Sequence, residues 1–254
     1  MKIITIGQRK GGNGKSTATL NLAHVFSEEG KKVLIVDLDD QKNTTSALTI
    51  DRRQKRTVED LLTKEDAELL DTVSETNWKR VSLLPASGNL SGVIRQLDGE
   101  VGGHLVLKEK LKGAKHQFDI VLIDTSPSLN VLVISALCAS DYLFIPLSSK
   151  YFSLQGLSQT LTAYRKVKER INEKLKLLGI AFVIHDRRNV LAEEVIKEVK
   201  NSYPALICES IIGINIRIEE AQVSKKSIFE YAPKDRGALQ YRKLGCEILK
   251  RMEE

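Results

Sequence analysis

The chain has 254 residues, of which 42% are hydrophobic and 28% charged, with 5 Pro and 16 Gly. These proportions are ordinary for a globular protein and exclude a collagenous or largely disordered chain. No run approaches the roughly 20 apolar residues that a membrane span needs, and the N-terminus leads into a motif instead of a signal-peptide cleavage site, so we expect a cytoplasmic protein.

The net charge of +6 is unevenly distributed. Residues 151–254 hold 19 of the 39 Lys and Arg but 14 of the 33 Asp and Glu, so most of the positive excess lies in the distal part of the chain. This asymmetry indicates either a polyanionic partner or an ordinary solvated basic surface.

Three cysteines, Cys138, Cys208 and Cys246, are scattered along the chain. They are too few for a disulfide framework and lack the spacing of a CxxC metal site. Because each lies in an apolar or helical context, we expect all three to be buried thiols.

Apolar runs rich in β-branched residues alternate with segments of helical period along the whole chain. Near-continuous hydrophobicity indicates strands that are buried on both faces. The expected strands are Ile3–Ile6, Val33–Val36, Val81–Leu84, Ile120–Ile123, Leu143–Pro146, Leu177–Ile184 and, less clearly, Leu206–Ile212. The expected helices are Ser16–Glu29, Leu90–Leu97, Leu105–Leu111, Ser128–Ala139, Leu154–Ile171, Leu191–Asn201 and Ala238–Met252.

This alternation predicts an α/β fold, a mostly parallel twisted sheet of about seven or eight strands with helices on both faces. The polar stretch Asp51–Arg56 and the acidic stretch Glu65–Glu75 are interpreted as a surface excursion. No linker divides the chain, so residues 1–254 are expected to form a single domain.

The string Lys10-Gly11-Gly12-Asn13-Gly14-Lys15-Ser16-Thr17 follows the first expected strand and opens the first expected helix. Glycines let successive N–H groups point at phosphate oxygens, and the helix N-terminus adds partial positive charge. In such a loop Lys15 reaches the β- and γ-phosphates, the Ser16 hydroxyl ligates Mg²⁺ and Thr17 bonds the α-phosphate. The string therefore predicts a nucleoside triphosphate site, with a simple Gly-rich turn as the alternative.

This loop departs from the usual G-x-x-x-x-G-K-[ST] pattern, because Arg9 replaces its first Gly and Lys10 follows. K-G-G-x-G-K-[ST]-[ST] resembles the deviant phosphate loop of the ParA/MinD family of P-loop ATPases, nearest to the chromosomal ParA and Soj proteins. In that family the lysine matching Lys10 reaches across a nucleotide-sandwich dimer to the partner's phosphates. The resemblance implies ATP and Mg²⁺ as ligands, an ATP-dependent homodimer, and catalytic roles for Lys10 and Lys15; a surface lysine is the alternative for Lys10.

The second expected strand runs into a cluster of carboxylates. Alternation places Asp37 and Asp39 on one face at the C-terminal end of the strand, where α/β sheets bind their ligands. The segment resembles the family's V-D-x-D-P-Q-x-N-x-T, which implies that Asp39 orients the attacking water, that Asp37 lies near the outer shell of Mg²⁺, and that Gln41–Thr45 form a γ-phosphate-sensing switch. Asp40 stands where the family usually has Pro, and a capping or turn role is the alternative for the cluster.

The expected strand Ile120–Ile123 ends in Asp124. An apolar strand that ends in an acidic residue is the usual partner of a phosphate loop and holds Mg²⁺ through water. The family's segment here is D-x-P-P-S, and this chain keeps Pro127 but has Ser126 in place of the first Pro. Asp124 is therefore predicted to belong to the Mg²⁺ site, together with Ser16 and Asp37.

The resemblance continues to the distal part of the chain and spans nearly all of it. In chromosomal-type ParA proteins, basic residues of this part form a stripe across the dimer that binds DNA without sequence preference, by salt-sensitive phosphate contacts. Arg217 lies in a segment that resembles the family's I-R-L-x-E-A. The candidate DNA-binding residues are Arg187, Arg188, Arg217, Lys225 and Lys226, and a solvated basic face is the alternative. Gln222 and Val223 replace the P-S that follows this segment in the family.

The terminal residues Cys246–Glu254 have few large apolar side chains and end in two acids. A membrane-targeting helix of the MinD kind would need a stronger apolar face, so no stable membrane association is expected, and Ile248, Leu249 and Met252 are interpreted as core residues. No extension of about 100 residues precedes the first strand, so the helix-turn-helix module of large plasmid ParA proteins is not expected.

The resemblance implies a ParA-like partition ATPase that hydrolyses ATP slowly, associates with the nucleoid, and is stimulated by DNA and by a ParB-like protein. One alternative is a MinD-like positioning or regulatory switch that acts on protein or membrane partners. Another is a small-molecule kinase or ligase, which gives no reason for Lys10.

Overall fold

This computed structural model describes residues 1–49, 56–150, 153–186 and 188–253. These residues form a seven-stranded sheet. The strands are β1 (Lys2–Ile6), β2 (Val33–Leu38), β3 (Ser74–Glu75), β4 (Val81–Leu84), β5 (Ile120–Thr125), β6 (Tyr142–Ser148) and β7 (Lys176–Val183). Their spatial order is β3-β4-β2-β5-β1-β6-β7, and all pairs are parallel except β3 with β4. The predicted mostly parallel α/β sheet is confirmed.

Helices cover both faces of this sheet. Within the described residues they are α1 (Lys15–Glu28), α2 (Asn43–Leu48), α3 (Val58–Thr63), α4 (Leu69–Thr72), α5 (Leu90–Gly99), α6 (Val106–Lys110), α7 (Val131–Ala139), α8 (Ser153–Arg170), α9 (Val190–Ser202), α10 (Ile216–Val223), α11 (Ile228–Tyr231) and α12 (Arg236–Glu253). Short 3₁₀ turns occupy Gly103–Leu105, Leu111–Ala114 and Pro204–Leu206.

Side chains alternate across the strands, so each face of the sheet has its own apolar core. Ile4 of β1 packs in one cluster with α1 and α12, whereas its neighbour Ile3 packs on the other face with α3, α5, α6 and α7. A third cluster joins β6 and β7 to α7, α8 and α9. Because β1 lies between β5 and β6, the loop that follows it stands at the middle of the sheet's C-terminal edge, beside the end of β5.

The predicted strand Leu206–Ile212 is wrong. The segment runs beside β7 and donates backbone hydrogen bonds to it at both of its ends. Between those ends, the N–H groups of Glu209 and Ser210 donate instead to the carboxylate of Glu247 on α12, at 2.9 and 3.2 Å. A side chain from a distant helix thus interrupts the ladder.

Two other expectations differ in detail from the structure. The helix predicted from Ser128 begins at Val131, because the side chain of Asn130 accepts the Val133 N–H at 3.1 Å and caps the helix there. The acidic part of the predicted excursion contains α4, whose Leu69 is buried in the core. Asp51–Lys55, the greater part of the polar stretch, lie outside the described residues.

The cysteine prediction holds at two positions and is wrong at the third. Cys138 and Cys208 are buried thiols, and burial raises their pKa to about 11 and about 12. Cys246 is exposed. Its neighbour Gly245 faces α1 so closely that an added Cβ would lie 2.5 Å from Val25 Cγ1. The next residue along α12 is rotated by about 100° and points outward.

Candidate functional site

The phosphate loop connects β1 to α1. Gly12 and Gly14 have φ of +72° and +67°, left-handed values that residues with a Cβ rarely adopt. Gly14 is the N-cap of α1, and no side chain caps the helix. The first N–H groups of α1 therefore face outward from a helix N-terminus, the geometry that favours an anion.

The side chain of Asn13 hydrogen-bonds this loop to the neighbouring strand and helix. Its Nδ2 donates to the Lys10 carbonyl at 3.3 Å, and its Oδ1 accepts from the Ser148 N–H at 3.3 Å and the Ser153 hydroxyl at 3.1 Å. Asn13 is 2% exposed, and its bonds to Ser148 and Ser153 are buried. The loop is thus held to the end of β6 and the start of α8.

A cavity of about 600 Å³ opens over the loop. Its lining consists of the loop residues Gly11–Thr17, residues that follow β2 (among them Asp39 and Gln41), Pro127, and the end of α10 with Gln222, Val223 and Lys225. The volume is in the usual range for small-molecule sites. The fold therefore brings together the predicted phosphate loop and the predicted water-orienting carboxylate.

Lys15 lies in this cavity with little exposure to water. It is 6% exposed, and burial lowers the pKa of its ammonium group, while attraction to Asp124 and Asp39 opposes that effect. A buried ammonium group beside two carboxylates is held in place and desolvated, which strengthens its attraction for phosphate oxygens.

Asp37 and Asp124 face each other across neighbouring strands. They are register partners on β2 and β5, and both are fully buried. Burial raises the pKa of both carboxyl groups, and the charge of Asp124 raises the pKa of Asp37 further. Hydrogen bonds from the Thr44 and Ser16 side chains and the charge of Lys15 oppose the rise in the pKa of Asp124. Two buried carboxylates on neighbouring strands favour a cation or a proton between or beside them.

Each of these carboxylates also holds the segment that follows β2. Asp37 Oδ2 accepts the Thr45 N–H at 2.8 Å and the Thr45 hydroxyl at 2.7 Å. Asp124 Oδ2 accepts the Thr44 hydroxyl at 2.6 Å. The other oxygen of Asp124, Oδ1, is buried without a hydrogen-bond partner among the described residues.

Known proteins resemble this chain over nearly its full length. A family model described as an AAA domain matches residues 1–177. The sporulation initiation inhibitor protein Soj of Bacillus subtilis is 37% identical over 248 residues, 97% of this chain and 98% of that protein. The chromosome partitioning protein ParA of Caulobacter vibrioides is 33% identical over 253 residues, 99% of this chain and 95% of that protein. The chain belongs to the ParA/MinD family of ATPases.

One similar solved structure contains a bound nucleotide and a metal ion. Cobyrinic acid a,c-diamide synthase of Mycobacterium smegmatis, solved with a bound ATP analogue and magnesium, superposes with a TM-score of 0.86 at 27% identity, covering 100% of this chain and 96% of that one.

The residues of the cavity fit ATP and Mg²⁺. The loop N–H groups and Lys15 suit a polyphosphate, and the Ser16 hydroxyl lies in the lining. Asp124 is fully buried and is not among the lining residues, but its Oδ1 has no hydrogen-bond partner in the described part of the chain. This oxygen and the Ser16 hydroxyl are the hard oxygen donors that Mg²⁺ prefers. Within the described ranges, no three His, Cys, Asp or Glu side chains form a metal cluster of their own. A site of this kind suits a metal that takes most of its ligands from phosphates and water.

Lys10, the residue that marks the deviant loop of the ParA/MinD family, stands apart from the nucleotide cavity. It lines a second, open cavity of about 290 Å³ together with Arg9, Gln155, Gly156 and Gln159. Lys15, Ser16, Thr17 and Asp39 therefore line one cavity, and Lys10 lines the neighbouring one.

Asp40, which stands where the family usually has Pro, forms a side-chain hydrogen bond to α5. Its Oδ1 accepts the N–H of Leu90, the first residue of α5, at 2.8 Å. Two residues later, Lys42 adopts a left-handed φ of 53° and its Nζ donates to the Ser87 carbonyl at 3.0 Å. A proline has no side-chain acceptor, so the substitution gives this chain an added bond between the segment after β2 and α5.

The basic residues predicted to bind DNA do not form one uniform group. Arg188 is exposed and pairs with Asp186, and Arg217 is exposed and pairs with Glu220. Lys225 and Lys226 are both exposed, and Lys225, with a φ of 53°, also lines the nucleotide cavity. Arg187 lies outside the described residues.

The terminal helix α12 packs on the core as predicted. Ile248 is fully buried, and Leu249 and Met252 pack against the same cluster. Across residues 1–49, 56–150, 153–186 and 188–253, no helix combines the length and apolar character that crossing a membrane requires.

Proposed function

We propose that this chain is a Soj/ParA-type partition ATPase, a single domain that binds Mg-ATP, dimerises around it, binds duplex DNA as the dimer, and releases the DNA on hydrolysis. The observation that carries the proposal is the separation of Lys10 from the cavity formed by its own loop. A lysine beside the loop, outside that cavity, suits contact with a nucleotide held by a second protomer. A kinase or ligase of metabolism gives no reason for this placement.

In hydrolysis, Asp39 orients a water molecule for attack on the γ-phosphorus. As the new P–O bond forms, the bond to the β–γ bridging oxygen breaks, giving ADP and phosphate. The Asp39 side chain is fixed for this task, because its Oδ1 accepts the Gln41 N–H at 3.1 Å. Bound Mg²⁺ neutralises charge on the phosphate oxygens. Lys15 binds the β- and γ-phosphates, and Lys10 of the partner protomer reaches the same phosphates.

The segment Gln41–Thr45 acts as the γ-phosphate-sensing switch. Its Thr44 and Thr45 hydroxyls are bonded to Asp124 and Asp37, the carboxylates proposed to support Mg²⁺. A bound metal and γ-phosphate would change the charge that these hydroxyls face. The switch therefore has a direct electrostatic link to the nucleotide state.

DNA binding by the dimer uses basic residues of the distal part. The exposed candidates are Arg217, Arg188 and Lys226, and Arg187, outside the described residues, remains a candidate from the sequence. Arginine is suited to phosphate, and both Arg188 and Arg217 are exposed. Ion pairs of exposed arginines contribute little, so that phosphates can compete with Asp186 and Glu220 for them. Contacts to phosphates alone carry no sequence information. A ParB-like protein and DNA stimulate an otherwise slow hydrolysis, and the DNA-bound dimer associates with the nucleoid.

The test is sedimentation of the protein with non-specific duplex DNA, with ATP, with ADP and without nucleotide, over a salt series. We expect binding that requires ATP, weakens with salt, and is lost in Lys10→Ala and reduced in Arg217→Ala, which should lower the salt slope by about one unit. Lys32→Ala is the matched control. Lys32 is exposed and lies just before β2, at the N-terminal ends of the parallel strands, whereas the phosphate loop lies at their C-terminal ends. ATP-dependent dimers that ignore DNA would overturn the DNA part and favour a MinD-like positioning switch.

A further inference from the structure

One hydrogen bond joins the phosphate-binding helix to a helix far away in sequence. Nε2 of Gln222 donates to Oγ1 of Thr17 at 2.8 Å, across 205 residues. Thr17 lies in the first turn of α1, Gln222 lies near the end of α10, and both line the nucleotide cavity. The bond therefore links the wall of the nucleotide site to the helix that carries Arg217.

The direction of this bond decides what the Thr17 hydroxyl can do next. An amide nitrogen has two hydrogens and no acceptor capacity, so the Thr17 oxygen must accept from Gln222. The single proton of the hydroxyl is then left for another acceptor. In a loop of this pattern Thr17 is the residue that meets the α-phosphate, whose oxygens are acceptors only.

Gln222 stands at a position where this chain departs from the family's pattern. The family segment that Arg217 resembles continues with Pro and Ser, where this chain has Gln222 and Val223, and a proline side chain has no donor. The Gln222 backbone carbonyl accepts the N–H of Lys225 at 3.0 Å, which closes the end of α10. Gln222 thus has its main chain fixed by the helix end and its side chain directed at the loop.

We infer that Gln222 is a positioning residue for nucleotide binding: it orients the Thr17 hydroxyl toward the α-phosphate and thereby ties the position of α10 to nucleotide occupancy. The inference rests on nucleotide binding at the phosphate loop and on no other part of the proposed function. It would hold for a protein that never bound DNA.

The first test measures dissociation constants for ADP and for ATP with a fluorescent nucleotide. Gln222→Met removes the donor and keeps the length of the side chain, so it should weaken both nucleotides equally, by about two- to tenfold, the range expected for one hydrogen bond. Equal losses are expected because both nucleotides share the α-phosphate. Gln222→Glu offers only acceptors and takes the Thr17 proton, so its losses should be larger, and larger for ATP because of charge repulsion.

A double-mutant cycle separates positioning from a merely structural role. In the Thr17→Val background, which lacks the hydroxyl, Gln222→Met should have no further effect on ADP affinity. Gln240→Met is the matched control: Gln240 is also half-buried and bonds across elements, accepting the Gly213 N–H at 3.1 Å. It should leave the ADP affinity unchanged.

Hydrogen exchange tests the link to α10 independently of affinity. At saturating ADP, the α10 amides should gain protection in the wild type and not in Gln222→Met. The inference is overturned if Gln222→Met leaves ADP affinity unchanged, if its effect adds to that of Thr17→Val, or if α10 is protected equally in both proteins. A wild-type protein that bound no ADP would refute nucleotide binding itself, a distinct result from any of these.

Discussion

Thr44 donates its hydroxyl proton to Asp124 at 2.6 Å, and this bond joins α2 to the C-terminal end of β5. Both residues are fully buried, so water cannot replace the bond if it is lost. Thr44 lies in the proposed switch and Asp124 in the proposed Mg²⁺ site, so this bond joins the two proposed features directly.

Thr44→Val should therefore destabilise the nucleotide-free protein. Valine keeps the shape of threonine but removes the donor, and hydrogen bonds to charged groups contribute about 1.5–3 kcal/mol. We expect a loss of that size in the free energy of unfolding at pH 8, measured by urea titration. Thr44→Ser, which keeps the hydroxyl, should lose much less, and equal losses in the two variants would show that packing and not the bond is responsible.

The buried Asp124 should make the nucleotide-free protein less stable as pH rises. Burial raises the pKa of Asp124 to about 6, above the value near 4 of an unfolded carboxyl group. The native state therefore binds the proton more tightly, and stability that is present below about pH 4 is lost as pH rises through about 6. Asp37, whose pKa burial raises to about 7, acts in the same direction.

Asp124→Asn should remove much of this pH dependence. We expect the variant to gain on the order of 1–3 kcal/mol relative to the wild type between pH 5 and pH 8, measured as the difference in unfolding free energy without nucleotide. Asp119→Asn serves as the control, since Asp119 lies at the other end of β5, just before its first residue. A constant difference between wild type and Asp124→Asn over this pH range would contradict the prediction.

Asp40 should act as a cap for α5 from outside that helix. Losing a capping acceptor costs about 0.5–2 kcal/mol, so Asp40→Ala should lower the unfolding free energy by about 1 kcal/mol, and Asp40→Pro should lose the same bond. Asp40→Asn keeps an acceptor and should remain close to the wild type. Asp98→Ala, at an exposed position within α5, is the comparison: if Asp40→Ala were no more destabilising than Asp98→Ala, the bond to Leu90 would contribute nothing.

Features that depend on a short run of consecutive residues could be predicted from the sequence. The phosphate loop depends on a string of eight residues, and strands such as β2 and β5 are uninterrupted apolar runs, so neither needs knowledge of the rest of the chain. The two-residue strand β3 is too short to show any period and was not predicted.

Contacts between distant residues could not be predicted, because no local pattern encodes them. Gln222 was visible as a departure from the family, but its bond to Thr17 depends on how α10 lies against α1. Glu247 likewise converts the apolar run near Ser210 from a strand into irregular backbone by supplying acceptors from α12. Cys246 is exposed because Gly245 packs against α1, so that this face of α12 is turned toward the core and Cys246 is turned away from it.

Lys225 and Lys226 are adjacent in sequence but should have different functions. Lys225 lines the nucleotide cavity, whereas Lys226 is exposed outside that lining. Lys225→Ala should weaken ATP binding about three- to tenfold, and ADP binding less, because the attraction grows with the charge of the phosphate chain. Lys226→Ala should leave nucleotide affinity unchanged and, if the dimer binds DNA as proposed, lower the salt slope of DNA binding by about one unit.

These two variants control for each other, since each removes one lysine from the same exposed turn. Nucleotide titrations at low and high salt would measure the first effect, and DNA binding at saturating ATP the second. Equal nucleotide affinities in the two variants would mean that Lys225 does not interact with the phosphates. In that case the end of α10 would contact the nucleotide site through Gln222 and Val223 alone, and both lysines would belong to the basic surface.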